Sequence, residues 1–421
     1  MIKRSFFALS QPRLTYDLLE PDPKTPDEVP LPASLTLLLR ESIDNTREAI
    51  FKKGDSVKKG EKLRLYENST AYVVSPVAGT ITNYDTYPDD FGNWSTYVAI
   101  QQDAGSEAEC ELPEPSEDLA FADGFLRDLP GAPAFEAMAA PDSTIHTVVV
   151  TCSDADLLCT TRQYLAASEA AALKEGVRIL KALTKVPKIC LALPQGFKVP
   201  SDMDTYKAFN TSNAYPSAQP AMIMKDHLDM VLPAGQTPED CGVYFVSAES
   251  VVALARVFQT RKPVFEKVFT LVGKDGASHR VKAVIGTPLS NVLSQFNIHV
   301  NEQDRIAING PMTGFATFTP LHPVTADLDM VMVQDRDAIP ELSDNACVNC
   351  GKCIRICPAK VPVNLLVRYL EADEYEEAAE RFDLESCIEC GLCAFVCTAR
   401  IPITQYIRLG KHELLKLRAD A

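Results

Sequence analysis

The chain has 421 residues, more than one compact core usually holds, since domains run to about 100–200 residues. With 46% apolar and 23% charged residues it is neither disordered, collagen-like nor coiled-coil in composition. The net charge of −16 argues against a nucleic-acid partner, and no apolar run nears the ~20 residues of a transmembrane segment.

Residues 1–30 read as an N-terminal leader. Its start, Met1 to Phe7, carries bases, but Gln11, Arg13 and Asp17 interrupt the apolar stretch, so no signal peptide is expected. Residues 31–104 read as short strands with glycine turns. Lys53-Gly54-Asp55 and Ser75-Pro76-Val77-Ala78-Gly79 have the look of a barrel-sandwich hybrid, the fold of biotinyl and lipoyl carriers. Those carriers modify a lysine between two such halves. The interval Arg64–Val74 has none, so a structural or docking role is expected.

Residues 105–142 form an acidic linker, with eight acids and one base from 105 to 128. Residues 143–262 alternate strand and helix: Thr147–Thr151, a helix from Leu165 to Thr184, Ile189–Leu193, then Gly242–Val246 and a helix through Val257. That alternation predicts an α/β sheet. Neither G-x-G-x-x-G nor G-x4-G-K-[ST] is present. Cys152, Cys159, Cys190 and Cys241 follow no ligand spacing and read as buried thiols. Residues 263–335 carry a hairpin and a short helix from Pro288 to Phe296, which suggests a β-grasp. His279, His299 and His322 are isolated and read as structural.

The last unit, 336–421, holds eight of the 13 cysteines. Two runs repeat the spacing C-x2-C-x2-C-x3-C: Cys347, Cys350, Cys353, Cys357 and Cys387, Cys390, Cys393, Cys397. This is the spacing of bacterial two-cluster ferredoxins, in which the fourth cysteine of each run serves the other cluster. One tight loop caps three irons of a cubane, and the fourth iron takes a thiolate from elsewhere. The expected [4Fe–4S] ligand sets are therefore Cys347, Cys350, Cys353 and Cys397, and Cys387, Cys390, Cys393 and Cys357. Gly351 and Gly391 let the loop turn its N–H groups toward the sulfurs. Zinc is the competing reading, but it favours paired C-x2-C knuckles. Helices are expected over Val363–Leu370, Tyr375–Phe382 and Thr404–Leu417. Arg408, Lys411, Lys416 and Arg418 on the last read as a solvated face.

The order of these pieces resembles RnfC, the peripheral C subunit of the Rnf ion-translocating ferredoxin oxidoreductase. The resemblance spans about residues 28 to 415. It rests on Pro30-Leu31-Pro32, Lys53-Gly54-Asp55, Glu175–Leu180, Ala214-Tyr215-Pro216, Ile285–Leu289, Gly310–Gly314, Cys387–Gly391 and the tail Ile401-Pro402 with Gln405–Arg408. It implies a multidomain α/β protein: a barrel-sandwich hybrid, a flavoprotein-like (Rossmann-like) domain, an SLBB-type β-grasp and a helical two-cluster ferredoxin domain.

RnfC proteins generally bind FMN and NADH in the α/β unit. Their glycine-rich loop is replaced here by Leu129–Phe135, with one glycine. The usual N-G-x-E-C-E-P is replaced by Thr151–Leu157, and N-V-G-T by Val246–Glu249. Side chains block the close backbone approach that phosphate needs, and Glu249 adds like charge near it. FMN and NADH binding are therefore expected to be weakened or lost. No side chain is expected to do acid–base catalysis.

The resemblance implies an electron-transfer subunit at the cytoplasmic face of the plasma membrane. It would relay electrons through two [4Fe–4S] clusters between a redox protein (ferredoxin or cytochrome) and the membrane subunits of an Rnf-type complex. A net −16 would help a basic partner dock. The alternatives are an FMN-dependent NADH or cobalamin-reductase-like oxidoreductase, and an assembly scaffold with structural clusters.

Overall fold

The computed structural model describes residues 12–44, 46–88, 94–103, 105–106, 109–110, 119, 129–135, 138, 140, 142–197, 206–343 and 345–420. Most of the expected acidic linker and the first 11 residues lie outside them.

The segment read as a leader is built into the fold from Thr15 onward. Thr15 bridges Ala214, and strand β1 (Asp27–Glu28) pairs in parallel with Val281–Lys282, 254 residues away. The barrel-sandwich unit follows: β2 (Ser34–Leu39), β3 (Ser56–Val57), β4 (Lys62–Leu63), β5 (Val73–Val74), β6 (Gly79–Pro88) and β7 (Trp94–Gln102). In β2, Leu35, Leu37 and Leu39 alternate inward with period two, against Ile81, Val98 and Ile100. Each such buried side chain contributes about 1.5–3 kcal/mol.

The α/β unit has four parallel strands: β8 (Thr147–Thr151), β9 (Lys188–Leu193), β10 (Lys207–Asn210) and β11 (Val243–Ser247), in the order β10-β9-β8-β11. Both faces of β8 are covered, which explains its unbroken Thr-Val-Val-Val-Thr run. The helix expected from Leu165 is two: α1 (Thr161–Ser168) and α2 (Ala170–Thr184). The break is at Glu169, whose carboxylate pairs with Arg256 at 2.8 Å. α2 buries Leu173, Val177, Leu180 and Leu183 at helical spacing. Helices α3 (Pro220–His227) and α4 (Ala248–Thr260) complete the layer. Cys152, Cys159 and Cys190 are buried as expected, whereas Cys241 is half-buried because it ends a turn at the sheet's edge.

The third unit is one mixed sheet. β12 (Glu266–Val272) and β13 (Ser278–Val284) form the expected hairpin, followed by α5 (Leu289–Gln295), β14 (Arg305–Ile308), β15 (Phe315–Thr317) and β16 (Met330–Gln334). The order is β1-β13-β12-β16-β14-β15. At its seam with the barrel-sandwich, Tyr87 Oη lies 2.8 Å from His322 Nδ1. Burial holds the His322 imidazole down to about 4.

The unfolded histidine therefore takes a proton near pH 6.5 that the folded one refuses until about 4. The stability is whole above pH 6.5 and is lost as pH falls through that window. Between pH 7 and pH 5 we expect His322→Asn to lose about 2 kcal/mol less than the parent in denaturant titrations. Equal losses would place the titrating group elsewhere.

The last unit is helical: α6 (Lys352–Ile356), α7 (Val363–Leu370), α8 (Tyr375–Phe382), α9 (Leu392–Phe395) and α10 (Ile403–Asp420). Leu366, Leu370, Leu384, Ile407 and Leu414 form its apolar centre, packed beside the cysteine loops.

Candidate functional site: two cysteine-lined cavities

The eight clustered cysteines surround two hollows. Cys387, Cys390, Cys393 and Cys357 line one, with Pro358, Ile388 and Ile407. Cys347, Cys350, Cys353 and Cys397 line the other, with Val348, Asn364 and Thr398. Each hollow thus takes three cysteines from one run and the last from the other. The local chain explains this. In each run the first two cysteines lie on a loop that enters a short helix, α6 or α9, through a glycine at positive φ, 69° at Gly351 and 74° at Gly391, and the third lies in that helix's first turn. At Gly391 a Cβ would stand 2.6 Å from the Met312 carbonyl. The fourth cysteine leaves that helix at its far end and meets the opposite loop.

Among the described residues, no three or more Cys, His, Asp or Glu side chains converge closely enough to hold a single metal ion. A tetrahedral zinc needs four donors at about 2.3 Å from one point. Sulfurs spread around a hollow suit a larger group, and two sets of four soft donors fit two [4Fe–4S] clusters. Burial raises the Cys390 thiol to about 12, with Cys387 and Cys357 adding like charge. Burial also raises Cys353, Cys387 and Cys393. Such thiols ionise only against a positive group at their centre. Cys350 is lowered by its contact with the Thr398 hydroxyl, 3.5 Å away. The Glu389 N–H donates to Cys387 Sγ at 3.4 Å, an N–H···S bond of the kind that stabilises a reduced cluster.

The two hollows differ in cover. The one around Cys390 faces inward. Tyr215 Oη donates to the Cys390 carbonyl at 2.7 Å, and the Tyr16 ring stands 5.4 Å from that of Tyr215. Lys411 Nζ donates to the Cys387 carbonyl at 2.7 Å and pairs with Glu389 at 2.8 Å. Arg408 donates to the carbonyls of Thr313 and Gly314. Arg408 and Lys411 are therefore not the solvated face expected from sequence. They clamp the inner loop to the β-grasp, because α10 turns that side toward it. The other hollow faces solvent: Cys350, Val348 and Thr398 are exposed. Tyr16 and Asp156 carried no sequence signal, and Tyr215 only a motif match.

The α/β sheet has its switch point between β8 and β11, where open sheets bind ligands beyond the strand C-termini. Here the chain's own groups fill that place. Gly131, at φ 86°, sits so close to α4 that a Cβ would stand 2.3 Å from Ser250 Oγ. Phe135 is fully buried behind it. Asp154 accepts from the Arg162 N–H at 2.8 Å and from Gln163 Nε2 at 3.0 Å. Asp156 accepts from the N–H groups of Met312 and Thr313. Glu249 was expected beside a phosphate. It is instead buried against Lys267, which also meets Asp329 at 3.5 Å. Burial pushes the Glu249 carboxyl up, although Lys267 pulls it down.

Residues 23–105 match the family model described as RnfC barrel sandwich hybrid domain, and residues 339–398 match the 4Fe-4S dicluster domain. The chain is 25% identical over 375 residues to the C subunit of the ion-translocating oxidoreductase complex of Vibrio cholerae serotype O1, covering 83% of this chain and 48% of that protein. It is similar to RnfC. Against the C subunit of the proton-translocating ferredoxin:NAD(+) oxidoreductase complex of Clostridium ljungdahlii, identity is 24% over 410 residues, covering 91% of this chain and 89% of that one. The chain spans about half the length of the first curated RnfC relatives it matches. An air-oxidized NAD+-reducing [NiFe]-hydrogenase structure aligns with TM-score 0.45 and 13% identity, over 70% of this chain and 64% of that one. No described helix is long and apolar enough to cross a membrane.

Proposed function

We propose that this chain is the electron-relaying C subunit of an Rnf-type membrane complex, held peripherally at its cytoplasmic face by the complex's membrane subunits. The observation that carries the reading is the division of eight cysteines, four and four, around one covered and one open hollow. Cys357, Cys387, Cys390 and Cys393 would hold the inner cluster, and Cys347, Cys350, Cys353 and Cys397 the outer. When bound, such clusters supply one-electron redox chemistry over a span of about −700 to +450 mV, set by charge, burial and hydrogen bonds to sulfur.

The chain's own residues set those terms. Burial around Cys390 and Cys393 keeps water from the inner group. The Glu389 N–H donates toward Cys387, and Lys411 and Arg408 hold Glu389 in place. Tyr215 and Tyr16 fix the inner loop against the α/β unit.

The flavin-dependent NADH reading has an observation against it, since the switch-point crevice is packed with buried side chains. The experiment is anaerobic purification with iron, acid-labile sulfide and flavin assayed on one sample. The expected result is about eight irons and eight sulfides per chain, with flavin well below one. About one FMN per chain would restore the NADH reading. Zinc in place of iron would overturn the cluster assignment, and clusters that cannot be reduced reversibly would favour the scaffold.

A further inference from the structure

We propose that Asn364 turns its side-chain amide over when the outer cluster is bound, and that its N–H then donates to sulfur and raises that cluster's potential. This rests on the iron–sulfur relay and adds a residue that tunes one of its two stations.

The residues that line the outer hollow are mostly cysteine or apolar. Besides the cysteines, only Asn364, Thr398 and Lys352 among them carry polar side-chain hydrogens. The Thr398 hydroxyl already lies 3.5 Å from Cys350 Sγ. Asn364 is arranged differently. Its Nδ2 donates to Asn349 Oδ1 at 2.6 Å, and its Oδ1 is buried with no hydrogen-bond partner. Buried amide oxygens are nearly always partnered, and an orphan is unfavourable.

Four thiolates around a cluster present only acceptors to Asn364. An amide oxygen finds nothing there to accept from, whereas an amide NH2 finds sulfur to donate to. A half-turn about the last side-chain torsion exchanges the two without changing the shape of the side chain. Asn349 is itself an amide and can follow. With both turned, Asn349 Nδ2 donates to Asn364 Oδ1, and the orphan is satisfied by the same move.

The inner loop has no such freedom. Asn349 and Glu389 each stand just before the second cysteine of their run, at φ 54° and 55°. Glu389 only accepts, and Lys411 holds it at 2.8 Å. The helices that follow repeat the same placement. Asn364 is seven residues past Cys357 and second on α7, and Thr404 is seven past Cys397 and second on α10. Asn364 lines the outer hollow and Thr404 the inner. The repeat thus brings a hydroxyl to one cluster and a reversible amide to the other. A hydrogen bond to sulfur offsets the charge that reduction adds, so it favours the reduced cluster. No proton is transferred and no covalent bond breaks.

The test is a potentiometric titration of the full, cluster-loaded chain with titanium(III) citrate, read by electron paramagnetic resonance. Asn364→Leu, close in size and without a donor, should lower the midpoint of one component, the one that survives in Cys393→Ser. The other component should stay in place. The expected shift is about tenfold in the ratio of reduced to oxidised cluster, about 59 mV for one electron. Should Asn364→Leu hold fewer than about eight irons, Asn364→Thr and Asn364→Val replace it, being alike in shape and different in the hydroxyl. The Thr variant should stay near the parent and the Val variant fall below it. A midpoint unmoved by Asn364→Leu, equal midpoints for Thr and Val, or equal shifts in both components would overturn the donor role. Iron loss in all three variants would make Asn364 a packing residue and overturn it too. Parent clusters that cannot be reduced sink the relay itself; reducible clusters with unmoved midpoints sink only this donor.

Discussion

Cys393→Ser should lower the iron of anaerobically purified protein from about eight to about four per chain. The remaining four belong to the open hollow, whose four cysteines the change does not touch. Cys357→Ser should remove the same four irons, although Cys357 belongs to the other run. The two hollows make this separable by double variants. Cys357→Ser with Cys393→Ser should lose no more iron than either alone, because both line one hollow. Cys353→Ser with Cys393→Ser should lose nearly all of it. If Cys357 instead pairs with Cys353, its loss would add to that of Cys393, and the crossed assignment would fail.

The second large effect is on stability. Lys267 is fully buried between Glu249 and Asp329, and Asp329 also holds Arg162 Nη2 at 2.7 Å. Removing the ammonium leaves two buried carboxylates with one cation. Breaking a buried pair from one side costs about 3–5 kcal/mol. Lys267→Met should therefore lower the unfolding free energy of the α/β and β-grasp pair by that amount in urea titrations. Adding Glu249→Leu should recover most of it, because the apolar pair needs no compensating charge. A single variant within about 1 kcal/mol of the parent would mean that Arg162 suffices for both carboxylates.

This network bears on the flavin question too. Two of the three departures from the RnfC pattern, at Thr151–Leu157 and Val246–Glu249, supply its members Asp154 and Glu249 or their neighbours. The third, Leu129–Phe135, packs onto α4 through Gly131. Sequence comparison reads these as losses of glycine. In the fold these segments tie the α/β unit to the β-grasp, through Glu249 with Lys267 and Asp156 with Met312 and Thr313.

The local elements were legible because each rests on residues close in the chain. Val363–Leu370 and Tyr375–Phe382 follow the 3.6-residue period, and the β12–β13 hairpin follows strand alternation. The cysteine spacing likewise carries its own chemistry, since three thiolates on one loop need no distant partner to declare a cluster. The helix break at Glu169 was not legible, because the apolar period runs on through it; Glu169 leaves helical geometry at φ −113° and meets Arg256, 87 residues away.

What the sequence by itself determined is the donor chemistry of the cysteine-rich unit and the local helices and hairpin strands. Only the tertiary structure decided which hollow is covered and which is open. That difference depends on Tyr16, Tyr215 and Met312, which reach the Cys387–Cys393 loop from three distant segments. It also decided that Glu249 is a paired structural charge and that Asp27–Glu28, at the end of the expected leader, join the β-grasp sheet. Charge, burial and pairing are properties of neighbours in space, and a linear pattern records only neighbours in the chain.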